Sequence, residues 1–499
     1  MSLETQSQQH TRYTRIRIHD EDDFKKLYPL IMDYIRDPGL ASSVKEFVFR
    51  SHLRRHELYL RKTNRPEVLR AEENARDISQ EHSIAQLVTS LGIEESKKSE
   101  WVRILTWMKP ELVAAREEAL AGDQRSFEVS PFYRHRTTLF AHYAATVLLM
   151  ICPNIEILKY EEGSRILEDI LRRNNYGLLP AAHLQKLRDV TLLPTTDMVL
   201  GDERFYVNLD ILAMLRLFHR LPVIESVSTD GVGPNNDGGY VGQFPPATSN
   251  LKRIRVGHSL YGDDVIGSLI GVPKRLEEFT LTTGGRNSLD GGYPITSAKN
   301  IGKALYQHKS SLRKIDIDID AYLDDREQSD DEQSDDEQSD DEYEDDRDPW
   351  YHRDQEISSE PSTTQVQNTR EYRTTIGSMH DFESLTHLSI GIRLLLGRQR
   401  RFGTMERERK DAPFRLVDAL PKSLEYLLIR GYERGMVPRH DMQIDEFLLS
   451  RQHCLPSLTE LHGIDETIPI ALSVESPDEN VDDLWKPEIS NDDWVEAHS

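Results

Sequence analysis

Residues 421–431 read PKSLEYLLIRG, and residues 273–284 read PKRLEEFTLTTG. Both open Pro-Lys-x-Leu-Glu and then alternate apolar with other residues. Alternation at period two is the mark of a strand, in which successive side chains point to opposite faces. Reduced to apolar-x-x-apolar-x-apolar, the phrase fits at Ile155/Leu158/Tyr160, Leu187/Val190/Leu192, Ile224/Val227/Thr229, Leu251/Ile254/Val256 and Leu276/Phe279/Leu281. It continues at Leu312/Ile315/Ile317, Leu385/Leu388/Ile390 and Leu424/Leu427/Ile429, with Leu458/Leu461 as a partial ninth. Val44/Phe47/Phe49 is an early outlier. The bare pattern is not selective, so its context decides. A Pro or Ser often stands just before the first apolar residue, as in VPKRLEEF, KSSLRKI and LPSLTEL.

Between phrases lies, as a rule, one amphipathic helical stretch. After Tyr160, Ser164 is placed to cap a helix that carries Ile166, Leu167, Ile170 and Leu171 on one face. Ile211, Leu212, Leu215 and Phe218 fall at helical spacing ahead of Ile224. Asp263 and Asp264 precede Val265, Ile266, Leu269 and Ile270, acids at the positive end of a helix. Ile301 and Leu305 stand before Leu312, and Ile444, Phe447 and Leu448 before Leu458. From Ile155 the phrases start 32, 37, 27, 25, 36, 73, 39 and 34 residues apart. One strand and one helix at such a period predict an α/β fold, an irregular leucine-rich-repeat solenoid. Its parallel sheet is expected on the concave face of a horseshoe, with helices outside and a helical cap at the N-terminal end. A doubly wound α/β enzyme is the competing architecture, and no strand-to-helix junction carries its phosphate-cradling glycines.

The chain has 499 residues, is 37% hydrophobic and carries a formal net charge of −24, which argues against nucleic acid and anionic membranes as partners. Residues 324–348 hold sixteen acids and two bases, so −14 of that charge sits in one tract and −10 is left for the rest. Cys152 and Cys454 are too few and too far apart for a disulfide framework or a metal knuckle. No signal peptide and no membrane span is read, and a cytoplasmic or nuclear location is expected.

VPKRLEEFTL, LPKSLEYLLIRGYE and LPSLTEL resemble the repeat region of F-box and leucine-rich-repeat proteins of filamentous fungi. Residues 34–49, YIRDPGLASSVKEFVF, resemble the segment that follows the F-box in that family. The resemblance implies a non-catalytic protein–protein interaction scaffold, the substrate-receptor arm of a ubiquitin ligase. It also implies a partner on the repeat face, and cullin–RING ligase components as partners if an F-box lies upstream. The family's opening module, Leu-Pro-x-Glu-Ile-Leu, has no match before residue 44; KLYPLIMDYI (residues 26–35) reads as the helix feeding the first strand.

Five regions follow: residues 1–150, a first strand and helical capping region; 151–322 and 381–470, repeats; 323–380, an insertion; and 471–499, an acidic tail. Residues 50–150 break the phrase, and IAQLV, WVRILTWM and TLFAHYAATVLLM predict helices that cover the first exposed core. His52 and His56 stand four apart without a third ligand, so a basic surface is expected there and no metal site. The insertion contains EQSDDEQSDDEQSDDEYEDD, too polar to offset chain entropy by burial, and is expected to be disordered. Ser329, Ser334 and Ser339 each precede Asp-Asp-Glu, a context for acid-directed kinases, and the basic run of residues 397–410 is a candidate internal partner of the tract. The glycines of GVGPNNDGGYVG (231–242) and TTGGRNSLDGGY (282–293) read as turn glycines, since neither loop has the Lys-Ser/Thr of a phosphate-binding loop. The tail, with Trp485 and Trp494, is expected to cover the open C-terminal end.

No nucleophile motif, cofactor motif or ligand cluster is read, so the expected protein is not an enzyme and carries no cofactor. A hydrolase hidden in the irregular loops and an acidic-tract histone or nucleic-acid scaffold are the alternatives. Strand register turns Leu427 and Ile429 toward the helices and Tyr426, Leu428 and Arg430 the other way. The same register turns out Arg253 and Arg255. Arginine and aromatic side chains dominate binding hot spots, so Arg253, Arg255, Tyr426 and Arg430 are the candidate contact residues.

Overall fold

A computed structural model describes residues 12–50, 78–119, 131–194, 205–234, 244–288, 296–323, 375–397, 414–471 and 492–497. The strands in chain order begin β1 (Tyr13–Ile18), β2 (Glu46–Phe49), β3 (Ile157–Glu161), β4 (Asp189–Leu193) and β5 (Val207–Asn208). β6 (Ser226–Asp230), β7 (Val232–Gly233), β8 (Arg253–Gly257), β9 (Glu278–Thr282) and β10 (Lys314–Asp318) follow. The last are β11 (His387–Gly391), β12 (Tyr426–Arg430), β13 (Glu460–His462) and β14 (Val495–Glu496).

Twelve of them form one sheet in the order β13-β12-β11-β10-β9-β8-β6-β4-β3-β2-β1-β14, and β5 pairs with β7 in a second, two-stranded one. Apart from β14, which lies antiparallel on β1, each strand of the large sheet is parallel to its neighbour. The protein is therefore an α/β fold built on a largely parallel twelve-stranded sheet.

Every apolar phrase lands in a strand, and their central residues stand in one register. Leu158, Val190, Val227, Ile254 and Phe279 pair in turn, then Ile315, Leu388, Leu427 and Leu461. From Leu158 to Leu427 all are buried, most of them completely, and they join a single hydrophobic core with the inner faces of the helices. A one-residue slip in any strand would turn its apolar set out of that core, which is why the register is kept.

The helices between phrases form for the reasons their sequences carry. The Ser164 side chain accepts from Leu167 N at 3.3 Å and caps Arg165–Asn175, whose Leu167, Ile170 and Leu171 are buried. Asp263 and Asp264 open Asp263–Gly271, and Ile301 and Leu305 are buried in Ala298–Tyr306. Adjacent units are also bonded to each other. The buried His308 accepts from Leu276 N at 3.3 Å through Nδ1 and donates to Ile270 O at 2.8 Å through Nε2, and burial lowers its pKa. Gly231, Gly284 and Gly285 adopt positive φ, as turn glycines should.

Three arrangements differ from the expectation. First, the sheet does not begin at Val44/Phe47/Phe49: β1 precedes it, and Glu21–Arg36 is the crossover from β1 to β2. The signal lies in YTRIRI, where Ile16 and Ile18 are fully buried and alternate with Arg15 and Arg17. Tyr13, Ile16 and Ile18 fit the three-point phrase themselves, one unit ahead of the matches singled out. Second, residues 375–380 belong to the fold and not to the insertion, for Ile376 and Met379 are buried in the core. The 73-residue interval leaves β10 and β11 as direct neighbours. Third, the described residues of the tail beyond Ala471 do not lie at the C-terminal end. Residues 492–497 return to the opposite edge, where β14 pairs with β1.

Helices Ile78–Ser90, Glu95–Leu105, Pro110–Ala119 and Pro131–Ile151 lie in the chain between β2 and β3, and the last packs against both Glu21–Arg36 and Arg165–Asn175. In the last of these Ala144, Ala145, Val147 and Leu148 are completely buried. The paired histidines 52 and 56, Ser329, Ser334, Ser339, nearly all of the basic run and Trp485 lie outside the described residues.

Candidate functional site

Because inward and outward residues alternate along every strand, the face away from the helices is ruled into rows by the register. The first row runs Arg15, Glu46, Ile157, Asp189, Ser226, Arg253, Glu278, Lys314, His387, Tyr426 and Glu460. The second runs Arg17, Val48, Lys159, Thr191, Ser228, Arg255, Thr280, Asp316, Ser389, Leu428 and His462. Parallel sheets are as a rule covered on both faces and apolar on both. Here the outward rows are polar, and from β8 to β12 most of their members are partly or fully exposed.

The four candidate contact residues share this face but not one patch. Arg253 and Arg255 are on β8 and Tyr426 and Arg430 on β12, four strand spacings away, about 19 Å. Arg253 reaches Asp189 at 3.2 Å and Glu225 at 3.8 Å. Arg255 is exposed and has no ion pair among the described residues. Tyr426 lies between two imidazoles, stacked on His387 at 5.7 Å and tilted against His462 at 5.4 Å. Arg430 is already engaged: its guanidinium meets Asp316 at 3.2 Å and Ser389 Oγ at 3.0 Å.

Sequence reasoning passed over a second group, at the C-terminal ends of these strands. His258 Nδ1 is 2.8 Å from Asp230 Oδ1, and its backbone N donates to Thr282 Oγ1 at 2.9 Å. His258 holds a φ of 40°, left-handed backbone that a non-glycine residue adopts at a cost. Asp318, 5% exposed, accepts from Ala471 N at 2.9 Å and lies 3.8 Å from Arg430 Nε. Burial pushes its carboxyl up; the Ala471 N–H and Arg430 pull the other way. Next to it Asp320 is fully buried and accepts from Arg393 N at 3.0 Å, at the start of Ile392–Leu396. Burial raises the Asp320 carboxyl to about 6. The alternation IDIDID at 315–320 marks a strand edge but does not show that its last aspartate turns inward.

Among the described residues no three His, Cys, Asp or Glu side chains are grouped to hold a metal ion. Cys152 is buried, and burial pushes its thiol well up, away from the thiolate that a nucleophile needs. No helix among the described residues is long and apolar enough to cross a membrane. Set against known proteins, the chain matches no family model and no curated relative.

Proposed function

We propose that this protein is a leucine-rich-repeat solenoid whose uncovered sheet face binds another protein. The observation that supports the reading is the pair of polar rows on a face that a parallel sheet ordinarily hides. On that face Tyr426, between His387 and His462, and the exposed Arg255 are the groups best suited to desolvation by a partner. The ligase-receptor role rests on the resemblance of the repeat phrases to the fungal F-box family, and an adaptor would need an F-box to dock on.

The test is capture. The full chain and its Arg253→Ala/Arg255→Ala/Tyr426→Ala variant are used as baits in a fungal lysate, with mass spectrometry of what they retain. Loss of a specific partner by the variant, at an unchanged thermal midpoint, is expected; undiminished capture by the folded variant would overturn the assignment. Arg430 is left intact, because removing it would strip Asp316 and the buried Asp318 of their cation and confuse stability with binding.

A hydrolase is the second reading, favoured by the His258–Asp230 pair at the C-terminal ends of parallel strands, where loops commonly carry sites. Turnover in a hydrolase screen that His258→Ala abolishes would establish it in place of the scaffold.

A further inference from the structure

The returning C-terminus makes a set of contacts that a mere chain end does not need. Trp494 packs edge-on against Tyr13 at 5.0 Å, and Lys26 Nζ lies 5.2 Å from the Trp494 ring centre. Its indole N–H donates to Asp23 Oδ1 at 2.7 Å, and Asp23 is completely buried. Asp493 meets Arg17 at 3.0 Å, and Asp492 pairs with Lys159. Backbone pairing with β1 is short: Tyr13 opposes Glu496, Arg15 opposes Val495, and Ala497 N donates to Arg12 O at 2.7 Å. An outer strand edge is a ready template for another chain, and side-chain seats beside it supply specificity.

We propose that the outer edge of β1, with the basic and aromatic seat beside it, is a strand-addition site for an acidic, tryptophan-bearing segment of a partner protein. The chain's own residues 492–497, DDWVEA, hold that site in cis and show the chemistry it takes. Two acids answer Arg17 and Lys159, the indole fills the seat formed by Tyr13, Lys26 and Asp23, and the strand adds to β1. Twenty residues separate Ala471, anchored on β10, from Asp492 on β3. That length reaches up to about 70 Å, against about 24 Å for five strand spacings, so the linker is long enough to let the end leave and rebind. A tethered ligand of this kind acts at an effective concentration in the millimolar range. The site is distinct from the sheet-face patches at β8 and β12 and does not depend on how those are read.

The probe is a fluorescein-labelled DDWVEA peptide, and the readout is anisotropy with the full-length chain. Wild type and its Trp494→Ala variant are compared, with Asp493→Lys as a second opener should Trp494→Ala fail to fold. The opened chain is expected to bind the peptide about 100-fold more tightly than wild type, the factor set by a tether at about 1 mM competing with a peptide that binds the open site at about 10 μM. Binding should weaken as salt rises and vanish for the peptide DDAVEA. Equal binding to wild type and opened chains, or none to a folded opened chain at about 1 mM peptide, overturns the proposal. So does a concentration-dependent dimer of wild type that Trp494→Ala abolishes, because the occupant is then a second copy and not a partner.

Discussion

Lys159 and Arg255 stand in the same outward row of the same sheet, three strands apart, and the fold uses them differently. Lys159 is held by Asp492 from the tail and lies 3.5 Å from Glu46. Arg255 faces solvent. Between Arg17 and Lys159, Val48 belongs to the outward row and yet is completely buried. The N-terminal end of the face is thus already occupied, while the middle is open. Strand register says which way a side chain points; what covers it is decided by a segment hundreds of residues away.

The largest effect expected from this contrast is at Asp23. It is buried and accepts from Arg17 Nε at 2.8 Å, His19 N at 3.1 Å and Trp494 Nε1. Asp23→Ala should cost about 3–5 kcal/mol in urea unfolding, since it leaves the His19 and Trp494 donors without their acceptor and takes from Arg17 the buried one of its carboxylates, Asp20 and Asp493 remaining. Asp316→Ala, at the open end and only partly buried, should cost under about 1 kcal/mol. Equal costs would break the distinction between the two ends.

Next comes Gly391, where an added Cβ would run into the Asp320 carboxylate. Gly391→Ala has to displace a fully buried acid from the start of Ile392–Leu396, and about 1–3 kcal/mol of stability should be lost. The face itself gives a smaller difference. Lys159→Ala, which leaves Asp492 and Glu46 facing each other, should cost about 1 kcal/mol, and Arg255→Ala less than about 0.5 kcal/mol. Denaturant midpoints at matched slopes measure both.

The smallest net effect is that of pH between 6 and 4, where two buried groups oppose each other. Burial lowers His219 from 6.5 to about 4, helped by Arg220 and Arg216. The folded chain then binds its proton less readily than the unfolded one, so this contribution is complete above about 6.5 and is lost as pH falls toward 4. Asp320, raised from 3.8 to about 6, does the reverse: the folded chain takes up its proton first, and stability is gained as pH falls through that window. The wild-type thermal midpoint should therefore carry little slope from this pair. Relative to wild type, His219→Gln should gain as pH falls from 7 to 4.5, and Asp320→Asn should lose whatever lead it has at pH 7. Parallel curves for all three proteins would show that neither group titrates as its burial implies.

Much of this molecule was legible in short stretches of its sequence. The strand phrases, their outward and inward residues, the cap at Ser164 and the acids opening Asp263–Gly271 depend on residues within a few positions of each other, and period and capping chemistry report them directly. β1 was legible too, since Tyr13, Ile16 and Ile18 fit the same phrase and alternate with Arg15 and Arg17. The candidate face was readable as a direction and not as a site. Nothing local distinguishes Arg430, engaged with Asp316 and Ser389, from Arg255, which faces solvent.

What tertiary structure alone decided are the meetings across long stretches of chain: Asp492 with Lys159, Trp494 with Asp23, Ala471 with Asp318, and Asp320 under Gly391. Such pairs leave no periodic trace, because each partner obeys the pattern of its own segment. The tryptophans of the acidic tail read as a cover for the C-terminal end, yet the buried carboxylate of Asp23 and the outer edge of β1 seat residues 492–497 at the other.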